Sequence, residues 1–168
     1  MSDPFATLGL APSFSLDQAE LEARYHELSK VVHPDRQAGK SPAERRRALS
    51  LAVDVNAAYR ALRDPIRRAE AMLARSGRSG QEAAPSPAFL MEVMELREEL
   101  ADARRLRDLP RVQAMSEAAR ARRDRVTREL AALFDAGRDA DAVPLVAELR
   151  YLARFLDEVR AIEEEAGV

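Results

Sequence analysis

Leu28-Ser29-Lys30-Val31-Val32-His33-Pro34-Asp35-Arg36-Gln37-Ala38-Gly39-Lys40-Ser41-Pro42-Ala43-Glu44 decides the fold, because one amphipathic pattern stops at Val32 and another opens at Ser41. Upstream, Ser15 offers a capping hydroxyl and Gln18 has the spacing of its capping-box partner. Leu21, Tyr25, Leu28 and Val32 then recur as a single helical stripe. Pro34 ends that helix, since its ring disfavours helical geometry at His33 and supplies no N–H. Downstream, Ser41-Pro42-Ala43-Glu44 combines an N-cap serine, a proline at the first helical position and a glutamate at the third. The stripe that follows is Ala48, Leu51, Ala52, Val55, Tyr59 and Leu62, and Asp64-Pro65 closes it. The two stripes predict a pair of antiparallel helices with His33-Pro34-Asp35 at their tip.

Further along, a short helix is expected from Ile66 to about Arg75. Gly77-Arg78-Ser79-Gly80-Gln81-Glu82-Ala83-Ala84-Pro85-Ser86-Pro87 then concentrates helix-breaking residues and reads as a linker. Three helical segments follow: Pro87 to about Leu106, Leu109 to about Phe134, and about Ala142 to Glu164. Pro110 falls in the first turn of the second, Gly137 follows its end as a C-cap residue, and Pro144 is expected in the first turn of the third. The spacing of Leu145, Leu149, Leu152, Leu156 and Val159 indicates shallow-angle helix packing. The expected fold is all-α, with a helical hairpin in residues 1–76, a linker in 77–87 and a three-helix bundle in 88–168.

Composition agrees with helix throughout, being rich in Ala, Leu, Glu and Arg and poor in β-branched runs. Lys and Arg number 27 against 29 Asp and Glu, for a net charge of -2, and the two signs are interspersed as on solvated helix faces. Arg45-Arg46-Arg47 and the set Arg120, Arg122, Arg123 and Arg125 are the exceptions. Neither has interleaved aromatics, so no nucleic-acid partner is expected. Cysteine is absent, which removes disulfides, thiolate zinc sites and cysteine-held clusters, and no metal or other cofactor is expected. No apolar run approaches a membrane span, and no charged leader with a hydrophobic segment opens the chain, so a cytoplasmic setting without membrane contact is expected. Gly39-Lys40-Ser41 mimics the end of a phosphate-binding loop, but Pro34 stands where that loop needs its first glycine and no strand precedes. No ATP site is expected in this chain.

The helix opening at Pro87 has too many apolar faces. At about 100° per residue, Phe89, Val93, Leu96, Leu100 and Ala103 form one stripe, sufficient to join a bundle core. Leu90, Met91 and Met94 project from the other side, together with Glu95, Glu98 and Asp102. An apolar cluster with an acidic border is either an interaction surface, to which methionine is suited, or a patch covered by the N-terminal region or the linker.

Phe5-Ala6-Thr7-Leu8-Gly9-Leu10, His33-Pro34-Asp35 and Asn56-Ala57-Ala58-Tyr59-Arg60-Ala61-Leu62-Arg63-Asp64-Pro65 together resemble the J-domain of DnaJ-type co-chaperones. Arg68-Ala69-Glu70, Phe89-Leu90-Met91-Glu92 and Leu96-Arg97-Glu98-Glu99-Leu100 are similar to the HscB branch of that family, the J-proteins of iron–sulfur cluster assembly. The similarity covers nearly the whole chain. It implies that His33, Pro34 and Asp35 engage an Hsp70-type chaperone, the specialised HscA, and stimulate its ATP hydrolysis. Arg24, His26, Lys30 and Arg36 would form the positive side of that contact, interrupted by Glu27 where many J-domains are more basic. The resemblance maps binding of the cluster scaffold IscU onto Leu90, Met91, Met94, Glu95 and Glu98. Asp102 and Tyr151 stand where the family often has Glu and Phe.

What the resemblance implies is a co-chaperone and not an enzyme, acting as a monomer or weak dimer. With no nucleophile or carboxylate dyad beside it in the pattern, His33 is not expected to work as a general acid or base. The alternative reading is a J-domain regulator of an Hsp70 with another client, its bundle serving oligomerisation or a different complex.

Overall fold

The structure, a computed structural model, describes residues 3–33, 39–78, 80 and 87–167, and every regular element among them is an α-helix. In chain order these are α1 (Pro4–Leu8), α2 (Gln18–Val32), α3 (Pro42–Arg63), α4 (Pro65–Arg75), α5 (Pro87–Leu106), α6 (Leu109–Asp135) and α7 (Asp139–Ala166). They divide into two compact units, Met1–Gly80 and Gln81–Val168. The architecture is the all-α one expected, a hairpin-bearing N-terminal unit and a C-terminal bundle of three helices.

In the first unit, α2 and α3 pair through Leu21, Val55 and Leu62, which are buried with Phe5, Leu8 and Leu10 in one core cluster. Tyr25 and Tyr59 stack across the seam with ring centroids 4.2 Å apart, and the Tyr25 hydroxyl donates to Asn56 Oδ1 at 2.8 Å. Leu51, placed on the inner stripe by its spacing, is exposed, because α3 is longer than the core it covers. Helix α1 was not among the expected elements. It is capped by Asp3, whose Oδ1 accepts from the Phe5 amide at 3.0 Å, and it contributes the buried Phe5 and Leu8. Five residues are too few to display a helical period.

The start of α2 also differs from expectation. Asp17, not Ser15, is the N-cap, its Oδ1 accepting from the Ala19 amide at 2.8 Å. A carboxylate caps as well as a hydroxyl and favours the positive helix end, while Leu16 is drawn out of the helical path to pack against the core. At the α3–α4 corner a single residue serves both helices. The Asp64 amide donates to Arg60 O at 3.4 Å, and its side chain accepts from the Arg67 amide at 2.9 Å. Arg68, on α4, is buried against this corner. It donates to Leu62 O at 2.9 Å, its guanidinium lies 5.1 Å from the Phe14 ring centroid, and burial lowers its pKa.

In the second unit α6 and α7 form the main seam, closed by Leu130, Phe134, Val146, Leu149, Leu152 and Phe155. Leu145 and Leu156 are only half-buried, since Val146 and Phe155 take the centre of the stripe. Helix α7 begins at Asp139, a turn before the expected start, which places Pro144 inside the helix and past its first turn. Burial of Ala142 and Val143 and an Arg138–Asp141 ion pair at 2.7 Å hold that extra turn. Between α5 and α6, Arg107 adopts a left-handed φ of 55° and the Asp108 amide reaches back to Ala103 O at 2.9 Å, while the Asp108 side chain caps α6.

The capping box at Ser41 is complete. The Glu44 amide donates to Ser41 Oγ at 3.3 Å, and the Ser41 hydroxyl and amide donate to Glu44 Oε2 at 2.6 and 2.9 Å. The Ser41 hydroxyl, then its amide, hold the Glu44 carboxyl below its ordinary pKa of 4.5. Because folding lowers this pKa, the box contributes fully above that value and progressively less as pH falls through the folded one. Ser41→Ala should therefore lower unfolding free energy by about 1 kcal/mol at neutral pH. The loss should shrink in acid, as measured by urea melts at neutral and acidic pH.

Candidate functional site

The hairpin tip is built by where its two helices stop. Helix α2 ends at the buried Val32, and His33 leaves it with φ −57° and ψ 137°, an extended geometry imposed on a residue that precedes proline. The His33 side chain is exposed. Pro34, Asp35 and Arg36 lie outside the described residues. Along α2, His26 and Lys30 sit a turn apart on the exposed face opposite Leu21 and Val32, leading toward His33.

Arg24 does not join them. Its guanidinium donates to Glu27 at 2.7 Å and lies against the end of α1, so close that a Cβ added at Gly9 would meet Nη2 at 2.7 Å. Gly9 itself has a left-handed φ of 65°. The left-handed backbone favours glycine there, whereas the Arg24 guanidinium, at the end of a flexible side chain, can move aside for a Cβ.

The second candidate surface is the outer face of α5. Leu90, Met91 and Met94 are 47, 65 and 62 % exposed, and Glu95, Glu98 and Asp102 are exposed beside them. Asp102 is also bound to Arg105 at 3.0 Å. The opposite stripe turns inward as expected, with Leu100 and Ala103 buried and Phe89, Val93 and Leu96 half-buried. Burial is deepest at the C-terminal end of α5, so the turns that carry Leu90 and Met91 depend on other ties.

Two side chains supply them. Tyr151, on α7, donates its hydroxyl to Val93 O at 3.3 Å and meets the Phe89 ring edge-on at 5.6 Å. Burial raises the Tyr151 pKa, and Arg97 lies over its ring at 6.0 Å while pairing with Glu158 at 3.3 Å. Tyr151 therefore stands behind α5, apart from the outer face of Met91 and Glu98. Arg122, on α6, reaches both neighbours: it pairs with Glu92 of α5, donates to Glu148 of α7 at 2.5 Å, and lies 5.4 Å from the Phe89 centroid. Burial opposes the Arg122 charge, but the hydrogen bonds to Glu92 and Glu148 outweigh it and raise the pKa. The arginine run thus separates by role, with Arg122 turned inward and Arg123 paired with Asp124 at 3.0 Å. Nothing in the linear spacing of Glu92, Arg122 and Glu148 announces their meeting.

Among the described residues no cluster of His, Cys, Asp or Glu is arranged to hold a metal ion, and no helix is long and apolar enough to cross a membrane. The groove between α5 and α7, about 570 Å³, is lined by arginines already engaged, Arg104 with Glu165 at 2.8 Å and Arg97 with Glu158.

An antiparallel hairpin ending at His33, with a second unit that is a helical bundle, is the architecture of a J-domain protein that carries a further helical domain. Residues 3–71 match the family described as the DnaJ domain, and residues 85–160 match the HSCB C-terminal oligomerisation domain. The chain belongs to the HscB family of co-chaperones. It is 36% identical over 160 residues to the co-chaperone protein HscB homolog of Burkholderia multivorans, covering 94% of this chain and 91% of the relative. It is likewise 36% identical over 167 residues to co-chaperone protein HscB of Proteus mirabilis, covering 96% of each. Chaperone HscB from Vibrio cholerae superposes with a TM-score of 0.87 at 30% identity, over 98% of this chain and 99% of that one. Human co-chaperone HscB shares the fold, with a TM-score of 0.85 at 24% identity over 96% and 82% of the two chains.

Changing Leu90, Met91 and Met94 together to Ala should leave the melting temperature nearly unchanged, since exposed side chains lose little on truncation. Leu100→Ala, buried on the inner face of the same helix, should cost about 2 to 5 kcal/mol. Thermal denaturation of the two variants side by side checks the assignment of the α5 faces.

Proposed function

We propose that this chain serves iron–sulfur cluster assembly by delivering the scaffold IscU to an Hsp70-type chaperone, HscA, and stimulating its ATPase. The observation that carries the reading is the outer face of α5. An HscB-family chain keeps Leu90, Met91 and Met94 exposed on it, bordered by Glu95 and Glu98, although a full core stripe is already present on the same helix. Apolar anchors of this kind carry most of an interface's energy, and methionine adapts to the partner's shape. Asp102 and Tyr151 contribute differently. Asp102 extends the acidic border, whereas Tyr151 acts from behind by holding Val93 and Phe89.

His33, Pro34 and Asp35 form the chaperone contact, with His26, Lys30 and Arg36 as its basic flank and Arg24 anchoring α2 against α1. Proline restricts the backbone of His33 before it, and the Asp35 carboxylate pairs with a cation of the chaperone. The chain itself performs no chemistry and holds no cofactor. It acts as a cytoplasmic adaptor: one unit binds the client, the other meets the ATP-bound chaperone, and linking two weak contacts raises their effective concentration.

Two measurements test this. His33→Gln should abolish stimulation in a single-turnover ATPase assay with the chaperone while leaving scaffold affinity unchanged. Replacing Leu90, Met91 and Met94 by Ala should weaken scaffold binding by more than about tenfold in a calorimetric titration, as loss of hot-spot anchors does. Normal stimulation by the first variant, or normal affinity of the second, overturns the corresponding half of the proposal.

A further inference from the structure

Five methionines hold all the sulfur of this chain, which has no cysteine. Met91 and Met94, on the outer face of α5, are 65 and 62 % exposed, whereas Met115 of α6 is buried and Met72 packs half-buried against the N-terminal core. Thioethers open to water are oxidised before buried ones, because the sulfur lone pair must meet the oxidant directly. Each exposed methionine is followed one turn on by a carboxylate, Met91 by Glu95 and Met94 by Glu98. Ionised carboxylates accept hydrogen bonds and donate none. Arg97, a turn beyond Met94, is drawn instead to Glu158 at 3.3 Å and lies over the Tyr151 ring.

We propose that Met91 and Met94 form a modification site for hydroperoxides, at which oxidation turns the outer face of α5 from apolar to polar and releases what binds there. In each step the thioether sulfur attacks a peroxide oxygen, an S–O bond forms and the O–O bond breaks. The proton of the transferred hydroxyl moves to the leaving oxygen, giving water from hydrogen peroxide; sulfur loses two electrons and the peroxide gains them. The sulfoxide oxygen is an acceptor that Glu95 and Glu98 cannot satisfy. Covering it with a partner's apolar surface leaves it buried and unpaired, which opposes binding. Exposed, it is hydrated, so the bundle core on the opposite stripe of α5 is undisturbed. Methionine sulfoxide reductases reverse the change, the oxygen leaving as water while a dithiol becomes a disulfide. The effect on binding rests on the scaffold reading above; the reactivity of the two sulfurs does not. Helices α2 and α3 contain no methionine, so peroxide detaches the client side and leaves the hairpin side intact.

Treating the full chain with hydrogen peroxide at neutral pH, followed by peptide mass spectrometry, tests the site. Met91 and Met94 should each gain one oxygen more than about tenfold faster than Met115. The oxidised chain, its circular dichroism melt unchanged, should elute earlier from a hydrophobic-interaction column and bind IscU more than about tenfold more weakly. Both changes should reverse on incubation with dithiothreitol and the reductases for the two sulfoxide epimers. M91L/M94L, compared after peroxide with its own untreated sample, should show neither a shift in retention nor a loss of affinity. Equal oxidation rates at Met91, Met94 and Met115, an unchanged retention time, or an oxidised chain that binds IscU as the untreated one does would each overturn the proposal. So would a loss of affinity that M91L/M94L shares or that comes with unfolding. An untreated chain that does not bind IscU overturns the scaffold reading instead, and the site is then judged on oxidation rate and retention, which need no partner.

Discussion

Apolar contact along a single seam, the Leu21 side of α2 against Val55 and Leu62 of α3, is what holds His33 out in solvent. The two helices that lead to and from the tip cannot shift without exposing Leu21 or Leu62. Tyr25 and Tyr59 stack across the seam and Asn56 receives the Tyr25 hydroxyl, so the helices are locked in register as well as in distance. The short α1 and the buried Arg68 then close the ends of the same core, which extends the constraint to the whole N-terminal unit.

The bundle works on the opposite plan. Its α6–α7 seam is deeply apolar, and α5 is added to it with burial concentrated at Leu100 and Ala103. The more N-terminal turns of α5 rest instead on directional contacts, Tyr151 to the Val93 carbonyl and Arg122 to Glu92 and Glu148. A polar clamp fixes orientation without requiring the helix to sink further into the core, so the outer apolar residues stay outside. The cost of burying the Arg122 charge is met by two carboxylates, which keeps the guanidinium ionised where it lies.

Much of this was legible in the linear pattern, because local chemistry wrote it. Ser41-Pro42-Ala43-Glu44 forms its capping box as read, α5 spans Pro87–Leu106, and the division of α5 into inner and outer faces follows from helical spacing alone. The misreadings share a cause, which is competition between local signals settled by packing. Ser15 and Asp17 both cap well, and the core's demand for Leu16 decides for Asp17. Pro144 argues for a late helix start, yet burial of Ala142 and Val143 carries α7 back to Asp139. Long-range polar meetings were invisible for a different reason: Arg122 looks like one more member of a basic run, and Arg24 like one more surface cation, until the fold brings Glu148 and Gly9 to them.

Asp64 ends α3 with its backbone and begins α4 with its side chain, leaving no residue between the two helices free to absorb motion. Helix ends ordinarily fray one at a time, each opening its own last turn. Here fraying of either end withdraws the cap of the other, so the two termini open together or not at all. The corner behaves as one cooperative element in the ladder of local openings that amide hydrogen exchange would resolve, and its protection is set by whichever of the two helices is the more stable.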